Sequence, residues 1–342
     1  MSDRTVDPDL VEMIAAVFAH NPDGPNEALG SRSINRRLWS VLGDVGMTRL
    51  TEAEESGGSG ATWRESAVLL STAAAHAARV PLAEHDLLAG YLLDSAGLKR
   101  GEAIRTACVL DADGTASAVP WAGAVDGIVL LWNRNGWRVT DVPVSGISLD
   151  PGANLAAEPR DRISVDVDAL DGTPVPDSVF EIFRLRGALA RSLQTCGAME
   201  RVLDICVEHT GARVQFGRPL AKFQAVQHMG AAIAAESSLA RAAAENAVNV
   251  AVEYGWDDGR TVFAVAAAKA TTAQAATVVA RNAHQILGAI GFTMEHELHR
   301  YTNRILSWRS EFGSVRHWED ILTDFAVTAG SGAVWELIEG RS

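Results

Sequence analysis

Apolar residues recur at helical spacing over both ends of the chain, at every third or fourth position. The first such stretch predicts an amphipathic helix over residues 8–19, with Asp7 and Pro8 as its cap and first-turn residue. Helices are also predicted over 33–46, 61–78 and 82–96. From residue 178 onward the pattern predicts three long helices and two shorter ones, over 179–209, 223–254, 260–290, 296–310 and 317–329.

Short apolar runs separated by Gly, Asp, Asn and Pro interrupt the helical pattern in the middle of the chain. They predict strands over 106–110, 127–132, 137–142 and 163–167, with a hairpin at Asn133-Arg-Asn-Gly. We therefore expect a mainly α chain with a small β domain. The predicted divisions are an N-terminal helical domain (1–101), a β domain (102–177) and a C-terminal antiparallel helical bundle (178–342).

The composition argues against several classes of protein. The 43 acidic residues exceed the 30 basic ones by 13, which argues against a general nucleic-acid or anionic-membrane surface. Cys108, Cys196 and Cys206 lack metal-ligand spacing and are interpreted as small apolar residues. No apolar run reaches the roughly 20 residues of a membrane span, and the N-terminus lacks a signal pattern. We therefore expect a cytoplasmic protein.

Two breaks between the long helices are the candidate chemical sites. The first, Gly211-Ala-Arg-Val-Gln-Phe-Gly-Arg-Pro-Leu-Ala-Lys-Phe-Gln224, is interpreted as a short polar loop in which Arg213 offers a bidentate contact to phosphate beside the flat face of Phe216. The second begins at Gln285, whose amide both donates and accepts, and contains glycines that allow close backbone approach. An ordinary turn with solvated arginines and an ordinary helix C-cap remain the alternatives.

Together the two breaks resemble the C-terminal bundle of the acyl-CoA dehydrogenase family. The family pattern Arg-x-x-Phe-Gly-x-Pro-Ile-x-x-Phe-Gln is matched from Arg213 to Gln224, and Gln-x-x-Gly-Gly-x-Gly is matched from Gln285 to Gly291 with one departure, Ala289. The order of helices, small β domain and helical bundle is also similar. The resemblance implies a four-helix C-terminal bundle and a central domain that is a reduced, β-barrel-like version of the family's.

In that family the two loops bind FAD across a subunit interface and hold the ADP half of a flavin whose ring lies in the neighbouring subunit. Carried over, the resemblance places Arg213 at the pyrophosphate, Phe216 and Gln224 at the adenosine, and Gln285 with Gly288 at the pyrophosphate and its backbone surroundings. The complete predicted cofactor set is Arg213, Gln215, Phe216, Phe223, Gln224, Gln285, Gly288 and Ala289.

The catalytic base of the family is missing from both of its usual positions. The family reaction removes a proton beside the thioester while hydride goes to flavin, which requires a carboxylate. Phe312 and Gly187 stand where the resemblance expects that carboxylate, and Glu311 is the nearest substitute. The residues Glu295-His-Glu and His299 lack the HExxH spacing of a zinc site, so no metal is expected.

The β domain also lacks the family's Thr-Glu-Pro-x-Ala-Gly-Ser and Trp-Ile-Thr segments, which hold the flavin ring. The nearest matches, Val119-Pro-Trp-Ala-Gly and Leu131-Trp-Asn, have no hydroxyl residues. The chain therefore resembles the shorter, degenerate subunit of heteromeric (α2β2) acyl-CoA dehydrogenases from actinobacteria.

That resemblance implies FAD shared with a related catalytic partner subunit, an acyl-CoA substrate with a bulky group such as a steroid side chain, and an electron-transfer flavoprotein or similar acceptor. No nucleic-acid or membrane partner is expected. A self-sufficient dehydrogenase that uses Glu311, and a flavin-free structural scaffold, stay open as alternatives.

Overall fold

The computed structural model describes residues 5–22, 32–330, 332, 333 and 335. The chain separates into two compact units, Thr5–Ala190 and the part that begins at Arg191. The boundary falls inside the longest described helix, α5 (Ser178–Ala212). The predicted domain limits at 101/102 and 177/178 stay predictions, while the mainly helical fold with a small β region is confirmed.

The helices of the first unit begin at capping residues that the sequence supplies. Asp7 accepts a hydrogen bond from the Asp9 N–H, and Thr62 forms a reciprocal capping box with Glu65. The helix predicted over 61–78 is shorter than expected because Ala77 takes a left-handed conformation (φ 52°) and ends it. The bounds are α1 Pro8–His20, α2 Arg36–Asp44, α3 Trp63–Ala75 and α4 Gly90–Ser95.

The segment predicted as one helix over 82–96 instead opens with a π-helix, Ala83–Ala89, before α4. The buried polar side chains of the π-helix form hydrogen bonds. Asp86 accepts from the Thr51 N–H and hydroxyl, both at 3.0 Å, and from Arg100 at 2.7 Å. The His85 Nδ1 accepts from the Arg105 N–H at 3.1 Å. Burial, with a further contribution from Arg105, lowers the pKa of His85 to about 3, so the ring is neutral.

The β region contains two small sheets. One has the order β1-β3-β4-β7 and the other β2-β6-β5. The hairpin at Asn133 is confirmed, because Asn133 pairs with Trp137 and both Asn135 and Gly136 have positive φ. The bounds are β1 Arg105–Val109, β2 Thr115–Pro120, β3 Gly127–Asn133, β4 Trp137–Pro143, β5 Ser148–Asp150, β6 Arg160–Ser164 and β7 Thr173–Pro174.

Three strands, β2, β5 and the two-residue β7, were not predicted, and the run at 163–167 is displaced to β6. The alternation of β2 is broken by an irregularity between Ala116 and Val119, with Ala118 at φ 57°, which hides its strand pattern. The β6 strand ends at Ser164 because the next N–H, that of Val165, bonds to Gly114 outside the sheet.

In the second unit α7 is the core helix, and α6, α8 and α9 pack against it. The short connection Gly255–Asp258 makes α6 and α7 antiparallel neighbours. Alanine dominates the buried face of α7, which allows close approach of helix axes. The bounds are α6 Gln224–Tyr254, α7 Gly259–Leu287, α8 Leu298–Trp308 and α9 Val315–Ala329.

One described segment, Gly259–Phe292, is long and apolar enough to cross a membrane, contrary to the sequence expectation. Of its most apolar window, 61% is buried inside the fold. A core helix rich in alanine and valine has the same composition, so this segment is weak evidence for a membrane span.

The Asp86–Arg100 pair generates a stability prediction. Asp86→Ala removes one of the two carboxylates of a guanidinium of which only 6% is exposed and leaves the Thr51 donors unpaired, while Asp94 still pairs with Arg100, so we expect a loss of about 2–3 kcal/mol in the free energy of unfolding. Asp320→Ala, which breaks the exposed Arg316–Asp320 pair, is the control and should cost no more than about 1 kcal/mol. Urea unfolding measures both, and equal losses would contradict the structural role of the buried pair.

Candidate functional site

The first candidate segment is more ordered than the loop that the sequence predicts. Helix α5 continues to Ala212, and β8 (Val214–Gln215) then pairs antiparallel with β9 (Arg218–Pro219). The two turn residues, Phe216 (φ 52°) and Gly217 (φ 76°), are both left-handed, as in a type I′ hairpin. A 3₁₀ turn then leads into α6. The segment is therefore a two-residue hairpin.

One aromatic side chain lies at the tip of this hairpin and a second lies just after it. The Phe216 side chain at its tip is 92% exposed, and its ring lies edge-on to Phe223 with the centroids 6.3 Å apart. The Arg218 guanidinium lies over the Phe223 ring at 4.2 Å, within cation–π range. Gln215, which precedes Phe216, and Gln224, which follows Phe223, are both exposed.

Arg213 has a fixed backbone and an open side chain. Its N–H donates to the His209 carbonyl and its own carbonyl accepts from the Leu220 N–H, both at 2.9 Å. In the part of the chain that the structure describes, its exposed guanidinium has no hydrogen-bond or ion-pair partner. A placed guanidinium without a protein partner fits an external anion.

The second candidate segment needs its two glycines for different reasons. Gly288, which ends α7, has φ 64° and ψ −141°, and a Cβ there would meet nothing within 4 Å. Its conformation, rather than packing, requires glycine. At Gly291 a Cβ would lie only 2.9 Å from the Leu287 Cβ, so packing requires glycine there. Gln285 and Ala289 are exposed, and the open space at Gly288 leaves its backbone accessible to a ligand.

His284, which the sequence analysis missed, holds this second turn. Its Nε2 lies 3.0 Å from the Thr302 hydroxyl, which donates to the Leu298 carbonyl, so the imidazole proton is on Nε2. The ring stacks on Phe292 with centroids 4.5 Å apart, and burial lowers the pKa of His284. The neutral ring thus connects the end of α7 to α8.

An apolar cavity of about 210 Å³ lies among α5, α6 and α7. It is lined mainly by aliphatic side chains, and it reaches Ala221 of the first segment and Ile286 beside Gln285 of the second. No sequence pattern indicated it, because its walls come from four separate stretches: 203–210, 221, 226–231 and 286. Its position beside both segments suits the flat apolar part of a ligand whose polar part they contact.

Glu311 is not a free carboxylate. It accepts a hydrogen bond from the Arg191 Nε at 2.6 Å, and the Arg191 side chain is only 2% exposed. Arg191 also donates to Gln194 at 2.6 Å and lies 5.8 Å from the centre of the Phe312 ring. Phe312 therefore stands beside a buried cation, and Glu311 supplies that cation's charge partner. Gly187, the other base position of the resemblance, is a buried helical residue of the first unit.

Lys269 is a second buried cation that sequence reasoning passed over. Its Nζ donates at 2.7 Å to the Trp308 carbonyl at the end of α8, which also accepts from the Glu311 N–H at 3.2 Å. Burial lowers the pKa of Lys269 to about 7, and the opposing effect of Glu311 offsets only part of this. A lysine inside the alanine run of α7 was the signal that could have revealed it.

Glu297, His296 and His299, at the start of α8, have protein partners. Glu297 pairs with Arg201 at 2.7 Å, the His296 Nδ1 accepts from the Leu298 N–H, and the His299 Nδ1 lies 2.7 Å from the His296 carbonyl. Within residues 5–22 and 32–330, no group of three or more potential ligands is arranged to hold a metal ion.

Comparison with protein families matches residues 172–315 to the acyl-CoA dehydrogenase C-terminal domain. This range contains both candidate segments and the whole of α8. Residues 172–315 are an acyl-CoA dehydrogenase C-terminal domain. The two segments carry this family's loop motifs, so the resemblance seen in the sequence is confirmed.

Two curated relatives of this family come from Mycobacterium tuberculosis. Acyl-CoA dehydrogenase IpdE2 is 28% identical over 86% of this chain and 89% of its own length. Acyl-CoA dehydrogenase FadE34 is 27% identical over 84% of this chain, which spans only 42% of FadE34.

Solved acyl-CoA dehydrogenase structures show the same fold. The ChsE4–ChsE5 complex from Mycobacterium tuberculosis aligns with a TM-score of 0.83 and 21% identity over 94% of this chain and 98% of the matched chain. The Tcur3481–Tcur3483 steroid ACAD aligns with a TM-score of 0.83 and 20% identity over 94% and 97% of the two chains.

Lys269 gives a pH prediction. Above pH 7 the folded lysine releases its proton, whereas the unfolded lysine keeps it up to its ordinary pKa of 10.5, so rising pH favours folding. Relative to Lys269→Met, the wild-type chain should therefore gain about 2 kcal/mol in unfolding free energy from about pH 7 to pH 9. Urea unfolding of both chains measures the difference, and parallel pH profiles would show that the folded pKa is not depressed.

Proposed function

We propose that this chain is a partial-site subunit of a heteromeric, flavin-dependent acyl-CoA dehydrogenase. Its 213–224 hairpin and its 285–289 turn contact the ADP half of an FAD that a related partner subunit holds. The observation that carries the proposal is Arg213, whose backbone is held by two hydrogen bonds and whose exposed guanidinium has no partner among the described residues.

The residues present fit the ADP half of FAD. Arg213 supplies a cation for the diphosphate, and the Gly288 backbone is open to close approach. Phe216 and Gln224 would contact the adenosine, and the apolar cavity offers a slot for its flat base. FAD, when bound, accepts the hydride that leaves the acyl chain during α,β-desaturation.

The proposal assigns the proton-abstracting carboxylate to the partner. Glu311 is paired with Arg191, and Phe312 stands where the sequence resemblance expects the family's base. A carboxylate hydrogen-bonded to a buried guanidinium is less available to take a proton from a substrate. This pairing disfavours the self-sufficient dehydrogenase that would use Glu311.

The assembly and substrate class are supported by named relatives. The ChsE4–ChsE5 structure is a complex of two different chains, and the Tcur3481–Tcur3483 structure is a steroid ACAD. We infer a CoA ester of a steroid side chain as the substrate class. The α2β2 assembly, the related catalytic partner and the flavoprotein acceptor belong to the same proposal.

Flavin stoichiometry tests this function. When the chain is co-expressed with a related acyl-CoA dehydrogenase with which it assembles, we expect about one FAD per pair of unlike chains. Arg213→Ala should lower the bound FAD of the complex at least tenfold at limiting flavin, because a charge-assisted contact to the diphosphate is lost. Arg316→Ala, at a 90% exposed arginine on α9, is the matched control and should keep full flavin content.

Two outcomes would contradict the proposal. One FAD per copy of the purified chain alone would indicate a complete site, as in the self-sufficient alternative. Unchanged flavin content in the Arg213→Ala complex would indicate that this chain serves as a flavin-free scaffold.

Glu311→Gln separates the two enzymatic alternatives. The amide still accepts from Arg191 but leaves the buried guanidinium unbalanced, so we expect a loss of about 2 kcal/mol in stability. Acyl-CoA-dependent flavin reduction by the complex should stay within about twofold of wild type, because the proposed base is elsewhere. A loss of about 10⁴-fold, the upper range for a catalytic base, would assign the base to Glu311.

A further inference from the structure

The 3₁₀ turn Gly288–Phe292, which follows α7, has few neighbours over its first three residues. Gly288 leaves the helix with φ 64°, and a Cβ there would meet nothing within 4 Å. The next two residues, Ala289 and Ile290, are exposed. Because a segment with few packing contacts opens easily, the position of this turn depends on what holds its far end.

The far end of the turn packs on one side chain of α7, that of His284. The Phe292 ring stacks on the imidazole, with the ring centroids 4.5 Å apart and the planes at 29°. Gly291 lies against the edge of the imidazole, since a Cβ built on this glycine would be 3.6 Å from the His284 Nδ1. Two consecutive residues of the turn therefore contact the same ring.

A third contact fixes the orientation of the imidazole. The His284 Nε2 lies 3.0 Å from the hydroxyl of Thr302, a fully buried residue of α8. That hydroxyl donates in turn to the Leu298 carbonyl at 3.2 Å, and a β-branched side chain inside a helix has few rotamers. The imidazole is thus bonded to α8 and packed against the turn, and in the chain it directly precedes Gln285.

We propose that His284 is a positioning residue of the cofactor site, which sets where the Gln285 side chain and the Gly288 backbone meet the ADP half of FAD. The inference rests on the proposed function for the identity of the ligand, whereas the anchoring of the turn rests on the contacts of His284 alone. Without the anchor the turn occupies several conformations, of which only a fraction fits the ligand, so the apparent affinity falls by that fraction.

Amide hydrogen exchange of the purified chain tests the anchor in the absence of any cofactor. The Gly288 N–H bonds to the His284 carbonyl and the Thr293 N–H to the Ile290 carbonyl, so both amides report opening of the turn.

His284→Phe keeps an aromatic ring against Phe292 but loses the bond to α8, and Thr302→Val loses the same bond from its other end. Each should raise the exchange rate of the turn about fivefold, the effect of one hydrogen bond. Because both changes remove one shared bond, the double variant should exchange no faster than either single variant. His284→Ala also removes the ring contacts and should raise the rate about tenfold or more.

FAD titration of the flavin-stripped complex, formed with the dehydrogenase with which the chain assembles, tests the functional part. His284→Ala should weaken FAD binding about tenfold, and His284→Phe and Thr302→Val about fivefold. Asp86→Ala, which removes a buried ion pair of the first unit, is the control for lowered stability and should bind FAD as the wild-type complex does.

Faster exchange together with weaker FAD binding supports the positioning role. Unchanged exchange in the His284 and Thr302 variants overturns it, and so does unchanged FAD affinity or an equal loss of affinity in Asp86→Ala. Arg213→Ala in the same titration separates the two levels of inference. If only this variant weakens FAD binding, the half-site stands without the positioning role, and if no variant weakens it, both proposals fail.

Discussion

The strongest constraint in the second unit is the burial of two cations, Arg191 and Lys269. A buried charge that lacks a partner costs several kcal/mol, so the surrounding chain must supply acceptors. Glu311 and the Trp308 carbonyl are those acceptors, at 2.6 and 2.7 Å. The end of α8 and the residues after it are thereby fixed to α5 and α7, and the Glu311 carboxylate has a structural role as the partner of Arg191.

Left-handed backbone imposes a comparable constraint on the 213–224 hairpin. A two-residue type I′ turn sets the register of its strands, so Arg213 and Phe216 are placed by backbone geometry rather than by packing. A glycine suits the second turn position, whereas Phe216 at φ 52° is strained for a residue with a side chain. Strain in an exposed aromatic residue is consistent with a ligand or partner that uses it.

Periodicity predicted α6 and α7 to within three residues at each end, because long helices with buried alanine stripes are the strongest sequence signal. The π-helix at Ala83–Ala89 could not be predicted, since its alanine and leucine positions also fit the spacing of an ordinary α-helix. The two candidate segments could be located from glycine, proline and arginine spacing. The partner of Glu311 could not, because Arg191 is 120 residues away in the chain.

Exposed apolar side chains give the proposed assembly a physical basis. Phe216, Phe292 and Met294 are 92%, 74% and 62% exposed, and all three lie on or directly beside the two candidate segments. Large apolar groups gathered at a polar ligand site favour burial against another surface. A partner chain that covers them would exclude water from the diphosphate and strengthen its contact with Arg213. If the proposed function holds, cofactor binding and subunit association would be coupled, because the same covering chain would bury both the exposed apolar side chains and the diphosphate.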